Sequence, residues 1–276
     1  MTPTNTPTID TANGPLYAEA FAPTGDPKGV VLVTHGYMEH CGRYRELAHV
    51  IADAGWAALT FDVRGHGRSP GPRGYIDRFD TYMTDFAAAI DAARALAKPD
   101  AKLVLLGHSH GGLITLRALC DGTPRGVVHA IVSSPYLALR LAVPGYRKVL
   151  ARFASRVVPK LMQAEKLRVE DLTSDPELQA ARTRDTLCFD GATARWFTES
   201  SAAQDYVLAN ASKVRLPTTW LVGGDDPIAN PAVSRQVATA VAGADYHDYP
   251  GFKHEVFNER ERERPFSEVR RVLASC

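Results

Sequence analysis

The chain has 276 residues, 45% of them hydrophobic and 23% charged, with a formal net charge of +1. That length and apolar share suit one large α/β domain with an inserted subdomain, and the near-zero charge gives no field that would recruit nucleic acid. No apolar run is long enough to span a bilayer, and Cys41, Cys120, Cys188 and Cys276 lie far apart with no CxxC pair, which fits reduced thiols rather than a disulfide frame or a zinc site, so no metal or cofactor is expected.

The start, Met1 to Thr8, lacks both a basic stretch and an apolar one, so residues 1–15 read as a disordered polar tail rather than a secretory signal, and a cytoplasmic protein is expected. Short β-rich runs follow at Gly29 to Thr34, Ala57 to Asp62, Leu103 to Gly107 and Val127 to Ser133, then at Thr218 to Val222 and Asp245 to Tyr249. Between them, Leu47, Val50, Ile51 and Ala54 recur at helical spacing, as do Tyr82, Phe86, Ala89, Ile90, Ala93 and Leu96; Gly55 and Pro99 are placed to end these helices. Strand alternating with helix predicts a mostly parallel sheet flanked by helices. From Pro135 to Leu216 the alternation stops and helical patterns take over. The chain therefore divides into a core over 16–134 and 217–276 and a helical lid over 135–216.

One stretch carries chemistry. The run from Leu103 through Gly107, His108, Ser109, His110, Gly111 and Gly112 is a GxSxG pattern between an apolar strand and a helix marked by Leu113, Ile114, Leu116 and Leu119. Flanking glycines remove the Cβ atoms that would clash in so tight a turn, so Ser109 can hold a strained backbone and expose its hydroxyl. A serine hydroxyl is a poor nucleophile at neutral pH and needs a histidine base oriented by a carboxylate.

On this strand–turn–helix plan the chain order is serine, acid, histidine, which sets aside His35, His40, His49, His66 and His108. His110 is too near Ser109 in sequence to reach its hydroxyl from the opposite side. His129 and His247 fall in strands, whereas His254 follows the last strand in a loop and is the candidate base. Trp220 to Pro227 ends a strand in a glycine turn with two carboxylates; Asp226 is favoured as the acid, with Asp225 as the alternative. Glu165, Glu170 and Asp171 in the lid read as solvated charges. The oxyanion of acyl transfer needs backbone donors, for which the amide of His110 is one candidate and that of Tyr37, in the turn opened by Gly36, is the other.

Several segments then converge: His35-Gly-Tyr-Met-Glu-His-Cys-Gly-Arg-Tyr44, Asp62 to Ser69, Arg73 to Phe79, Gly107 to Gly111, Thr193 to Phe197, Gly223 to Asp226 and Tyr249 to Glu259. Together they resemble the monoacylglycerol lipase and lysophospholipase branch of the α/β-hydrolases, from about Leu16 to the C-terminus. The resemblance implies an α/β-hydrolase fold, Ser109 as nucleophile, Asp226 as acid, His254 as base and the amides of Tyr37 and His110 as oxyanion hole. The chain departs from the family pattern in carrying His110 where methionine is common, and Tyr37 and Met38 where small residues are common. His110 adds a titratable group beside the acyl-binding site, and Tyr37 and Met38 imply a narrowed acyl pocket or a reshaped entrance; a buried His110 side chain reads as structural rather than catalytic.

In the lid, Tyr146, Val149, Leu150, Phe153, Val157 and Leu161 share one side of a helical pattern while Lys148, Arg152, Arg156 and Lys160 recur along another. The plainer reading is one packed and one solvated face; the other is a basic amphipathic surface in transient contact with anionic membrane. The expected activity is cleavage of carboxylic esters through an acyl-enzyme, on a small-molecule ester or lipid monoester. Short esters or amides are the alternative substrates, and a ligand-binding receptor of the same shape is the alternative outside enzymes.

Overall fold

The computed structural model describes residues 2–164 and 167–276; Glu165, read above as a solvated charge, lies outside the described residues. Strands β1 (Thr8–Ile9), β2 (Leu16–Phe21), β3 (Gly29–Thr34), β4 (Ala57–Phe61), β5 (Lys102–His108), β6 (Val127–Ser133), β9 (Thr218–Gly223) and β10 (Ala244–Tyr249) form one sheet, while β7 (Met162–Gln163) and β8 (Ala192–Thr193) pair with each other. Helices α1 (Arg45–Asp53), α2 (Phe79–Arg94), α3 (His110–Asp121), α4 (Gly145–Val157), α5 (Val169–Leu172), α6 (Pro176–Arg184), α7 (Ala194–Asn210), α8 (Pro231–Ala240) and α9 (Glu263–Ser275) complete the order.

The large sheet runs β1-β2-β4-β3-β5-β6-β9-β10, parallel from β4 to β10, with β1 and β2 antiparallel at one edge. Its central strands are apolar throughout because both faces are covered. On β3, Val30 and Leu32 join Tyr82 and Phe86 of α2, Leu113 of α3, Trp196 of α7 and Val237 of α8. Val31 and Val33 face the other way, onto Leu47 and Ile51 of α1 and Val269 and Val272 of α9.

Two features differ from the sequence reading. The N-terminal segment, expected to be disordered, is tied to the sheet: Thr8 and Ile9 pair with Tyr17 and Leu16, and the Ile9 side chain is buried. A single apolar residue in a Thr/Pro context gives too weak a pattern to register. Strand β2 carries no strand signal in the sequence, because Glu19 interrupts its apolar run; that carboxylate is buried and takes two hydrogen bonds from Arg45, at 2.7 and 2.5 Å.

Within 135–216, α7 is not a detached cover. Its Trp196, Ala203 and Val207 are buried in the same layer as α2 and α3. Helix α4 lies on the outside of α7, and it packs there through small residues: Ser155 is buried, with its Oγ 2.9 Å from Thr198 Oγ1. Tyr146, Val149, Leu150, Phe153, Val157 and Leu161 point outward instead and are 60–66% exposed. Of the described helices, none is long and apolar enough to cross a membrane.

Candidate active site

Ser109 sits where β5 gives way to α3, with φ 50° and ψ −115°. For a residue with a Cβ this left-handed conformation costs about 1–3 kcal/mol and persists only where its surroundings fix it. Here the backbone is pinned on both sides: the Ser109 amide donates to Ser133 O at 2.9 Å, and its carbonyl accepts from Tyr136 at 2.9 Å and from Leu113 at 3.0 Å. The glycine that follows is obligatory for a separate reason. A Cβ on Gly111 would lie 2.1 Å from the Thr34 carbonyl oxygen, so a larger residue would push α3 off the end of β3.

The loop after β10 brings His254 onto this serine. Its Nε2 lies 2.9 Å from Ser109 Oγ and its Nδ1 2.7 Å from Asp226 Oδ2. Asp226 is fixed in turn, since its other oxygen accepts from the Ile228 and Ala229 amides at 2.8 and 3.0 Å. Asp225 is exposed and makes no such approach to His254. All three joined residues are buried, at 7%, 4% and 1% exposure for Ser109, His254 and Asp226. Burial pulls the His254 imidazole toward its neutral form, but the Asp226 charge and hydrogen bond outweigh it and raise the pKa above its usual value. An imidazole bonded to a carboxylate at Nδ1 presents its Nε2 lone pair to the hydroxyl, which lets it accept the serine proton.

The loop after β3 passes beside the serine, close enough that a Cβ on Gly36 would lie 3.1 Å from Ser109 Cβ. Both polar groups of Gly36 are held by side chains. His35 Nδ1 approaches its carbonyl at 2.6 Å, while Glu39 Oε1 accepts from its amide at 2.5 Å and from Tyr44 Oη at 2.6 Å. His35 Nε2 accepts from the Val63 amide at 2.9 Å, so the proton resides on Nδ1 and donates to Gly36. Neither residue figured among the sequence candidates, although both lie in the segment quoted for its glycine.

The side chains of Tyr37 and His110 are drawn into an aromatic wall rather than into the hydrogen-bonded chain. Tyr37 stacks on Trp196 at 3.6 Å and donates from Oη to the Gly74 and Gly191 carbonyls, which fastens this loop to α7 and the segment before it. The His110 ring is fully buried among Tyr37, Phe79, Tyr82 and Trp196, at centroid distances of 5.1–5.9 Å. Burial lowers its pKa to about 3, so it remains neutral at physiological pH. His108 packs its ring 4.9 Å from that of His254 and is likewise lowered to about 3, by burial and then by His254.

This concentration of buried neutral imidazoles makes stability pH-dependent. His35, His66, His108 and His110 all have pKa values below the 6.5 of a solvated histidine, so the unfolded chain binds more protons than the folded one. No penalty applies above pH 6.5; as pH falls below it, each group costs about 1.4 kcal/mol per pH unit until its folded pKa is reached. His129 is lowered as well, and the raised His254, which works in the opposite sense, is one group against these five. Tm is expected to fall steeply between about pH 6 and pH 4. A Tm that held level across that interval would contradict the neutral assignment.

Comparison with known proteins bears on what such a site is for. Residues 25–261 match the family model Hydrolase_4, described as serine aminopeptidase, S33. The chain is 30% identical over 260 residues to the monoacylglycerol lipase of Mycolicibacterium smegmatis, covering 93% of this chain and 92% of that one. It is 27% identical to the phospholipase YtpA of Bacillus subtilis, covering 88% and 94%. Among solved structures, the Paleococcus ferrophilus monoacylglycerol lipase superposes with a TM-score of 0.83 at 28% identity, over 94% of this chain and 98% of that one.

Proposed function

Because the chain belongs to the Hydrolase_4 family (serine aminopeptidase, S33), we propose that Ser109, His254 and Asp226 form the catalytic triad of a lipid monoester hydrolase. It is a serine ester hydrolase. The observation that carries the residue assignment is the unbroken hydrogen-bonded chain from Ser109 Oγ through the imidazole to Asp226. His254 Nε2 takes the hydroxyl proton as Ser109 Oγ attacks the ester carbonyl. The imidazolium that forms is stabilised by Asp226, and the developing oxyanion by the amides of Tyr37 and His110. His110 opens α3, where the first-turn N–H groups have no carbonyl within the helix to bond. Collapse of the intermediate returns the proton to the leaving alcohol. Water, deprotonated by the same imidazole, then releases the acid and restores the serine.

The named activities of the relatives, monoacylglycerol lipase and phospholipase, support a monoacylglycerol or a related lipid monoester as substrate. Fatty-acid release from glycerol monoesters of increasing acyl length tests this: kcat/KM is expected to rise toward long chains. A maximum at the shortest acyl groups would instead make the protein a carboxylesterase.

Helix α4 supports a role for a lipid surface in delivering that substrate. Its outward apolar row is accompanied by exposed Arg147, Lys148, Arg152, Arg156 and Lys160, and no acidic residue occurs between Leu141 and Lys160. A chain of net charge +1 thus gathers five cations around an exposed apolar ridge, a pairing that fits the headgroup boundary of an anionic bilayer. At about 1 kcal/mol per basic residue, replacing Lys148, Arg152 and Arg156 together is expected to weaken co-sedimentation with phosphatidylserine-containing vesicles roughly 100-fold. Unchanged binding would remove the membrane from the account.

A further inference from the structure

The geometry points to a second site, apart from the reaction centre: His40, Asp185 and Cys188 form a three-ligand cradle for a soft divalent cation of the zinc class. One ligand atom from each lies within 4.8 Å of the other two. Imidazole, carboxylate and thiolate are a donor set that zinc accepts, and the thiolate disfavours magnesium and calcium. Zinc bonds of about 2.0–2.3 Å put tetrahedral ligands roughly 3.3–3.7 Å apart, so the 2.7 Å separation of His40 Nε2 and Asp185 Oδ2 would open by less than about 1 Å. His40 is buried while Asp185 and Cys188 are half-buried, which leaves one side toward water for a fourth ligand.

The charges around the site are of both signs. Arg43 and Arg182 both act on the Cys188 thiol, yet each is already paired, Arg43 with Glu39 and Glu255 and Arg182 with Asp190. Asp185 adds a carboxylate: burial opposes its ionisation, but the hydrogen bond from His40 and others hold its pKa below the usual value. Two rearrangements are required. The Cys188 thiol must give up its proton to solvent as the metal binds. Freeing His40 Nε2 moves its proton to Nδ1 and gives up both of the ring's hydrogen bonds, the 2.7 Å one to Asp185 and the 3.2 Å one from the Gly42 amide.

Such an ion would clasp the segment after α6 to the loop after β3. Glu39, next to His40, holds the Gly36 amide beside Ser109, so the clasp reaches the loop that borders the serine. The test uses the full chain, reduced and freed of metal by chelator, titrated with Co2+. A thiolate-to-cobalt charge-transfer band saturating at one ion per chain and bleached by Zn2+ is expected. Cys188→Ser should abolish the band, whereas Cys120→Ser should leave it intact. Asp185→Asn, which keeps the thiol, should retain the band while weakening Co2+ affinity at least 10-fold. No band in the wild-type protein, an undiminished band in Cys188→Ser, or unchanged affinity in Asp185→Asn would overturn the proposal. None of these readouts depends on ester hydrolysis.

Discussion

Asp226→Asn is expected to lower kcat about 10,000-fold with little change in KM or Tm. The reason lies in how the carboxylate is held. Its Oδ1 accepts from the Ile228 and Ala229 amides, so an asparagine must place its oxygen there and its NH2 where Oδ2 now meets His254. Two N–H groups cannot face each other, and the imidazole is driven to the other tautomer, with its proton on Nε2 and directed at Ser109 Oγ. A base already protonated at that nitrogen cannot take the serine proton. The same substitution removes the charge that raises the His254 pKa, so the acid limb of residual activity should move to lower pH. A loss of less than 10-fold would mean that Asp226 does not orient the base.

Arg43→Leu carries the largest expected effect on stability. The guanidinium is almost fully buried and lies between two buried carboxylates, 3.3 Å from Glu39 Oε2 and 2.5 Å from Glu255 Oε2. Burial raises the Glu39 carboxyl, but Arg43 chiefly brings it down to about 2, whereas burial leaves Glu255 above its usual value. Removing the cation strands both charges, which costs about 3–5 kcal/mol for a buried pair. The defect should also reach catalysis. Glu39 holds the Gly36 amide and Glu255 is the neighbour of His254, so Arg43 ties the loop bordering the serine to the loop carrying the base. The surviving folded fraction is expected to show a reduced kcat with KM nearly preserved. Denaturant unfolding that gave a loss below 1 kcal/mol would show that the pair is dispensable.

Most strands that were legible in the sequence are buried on both faces, whereas β10, at the sheet edge, is mostly half-buried or exposed. β3 and β6 fall where the β-branched runs place them, β4, β9 and β10 differ by one residue at one end, and β5 by one residue at each end. β2 was not legible because its buried Glu19 reads as a surface charge until Arg45 is brought alongside. Ser109, Asp226 and His254 could be read from chain order and turn chemistry, since each lies in a loop at the end of a predicted strand. Their supports could not. Arg43 meets Glu255, and His40 meets Asp185 and Cys188, only because the fold closes distances that no local pattern encodes. Helix α4 shows a different limit: an apolar stripe has the same period whether it faces a core or a lipid surface, and only the packing of Ser155 against α7 reveals which side is inward.

The most direct test of the central claim is fatty-acid release from a long-chain monoacylglycerol, measured in parallel for the wild-type protein and for Ser109→Ala prepared identically. Sustained release by the wild type and none above background by a folded Ser109→Ala variant is the predicted result. Release that survives in the variant would contradict the assignment of the nucleophile, and a wild-type protein that releases no fatty acid would contradict the assignment of the substrate.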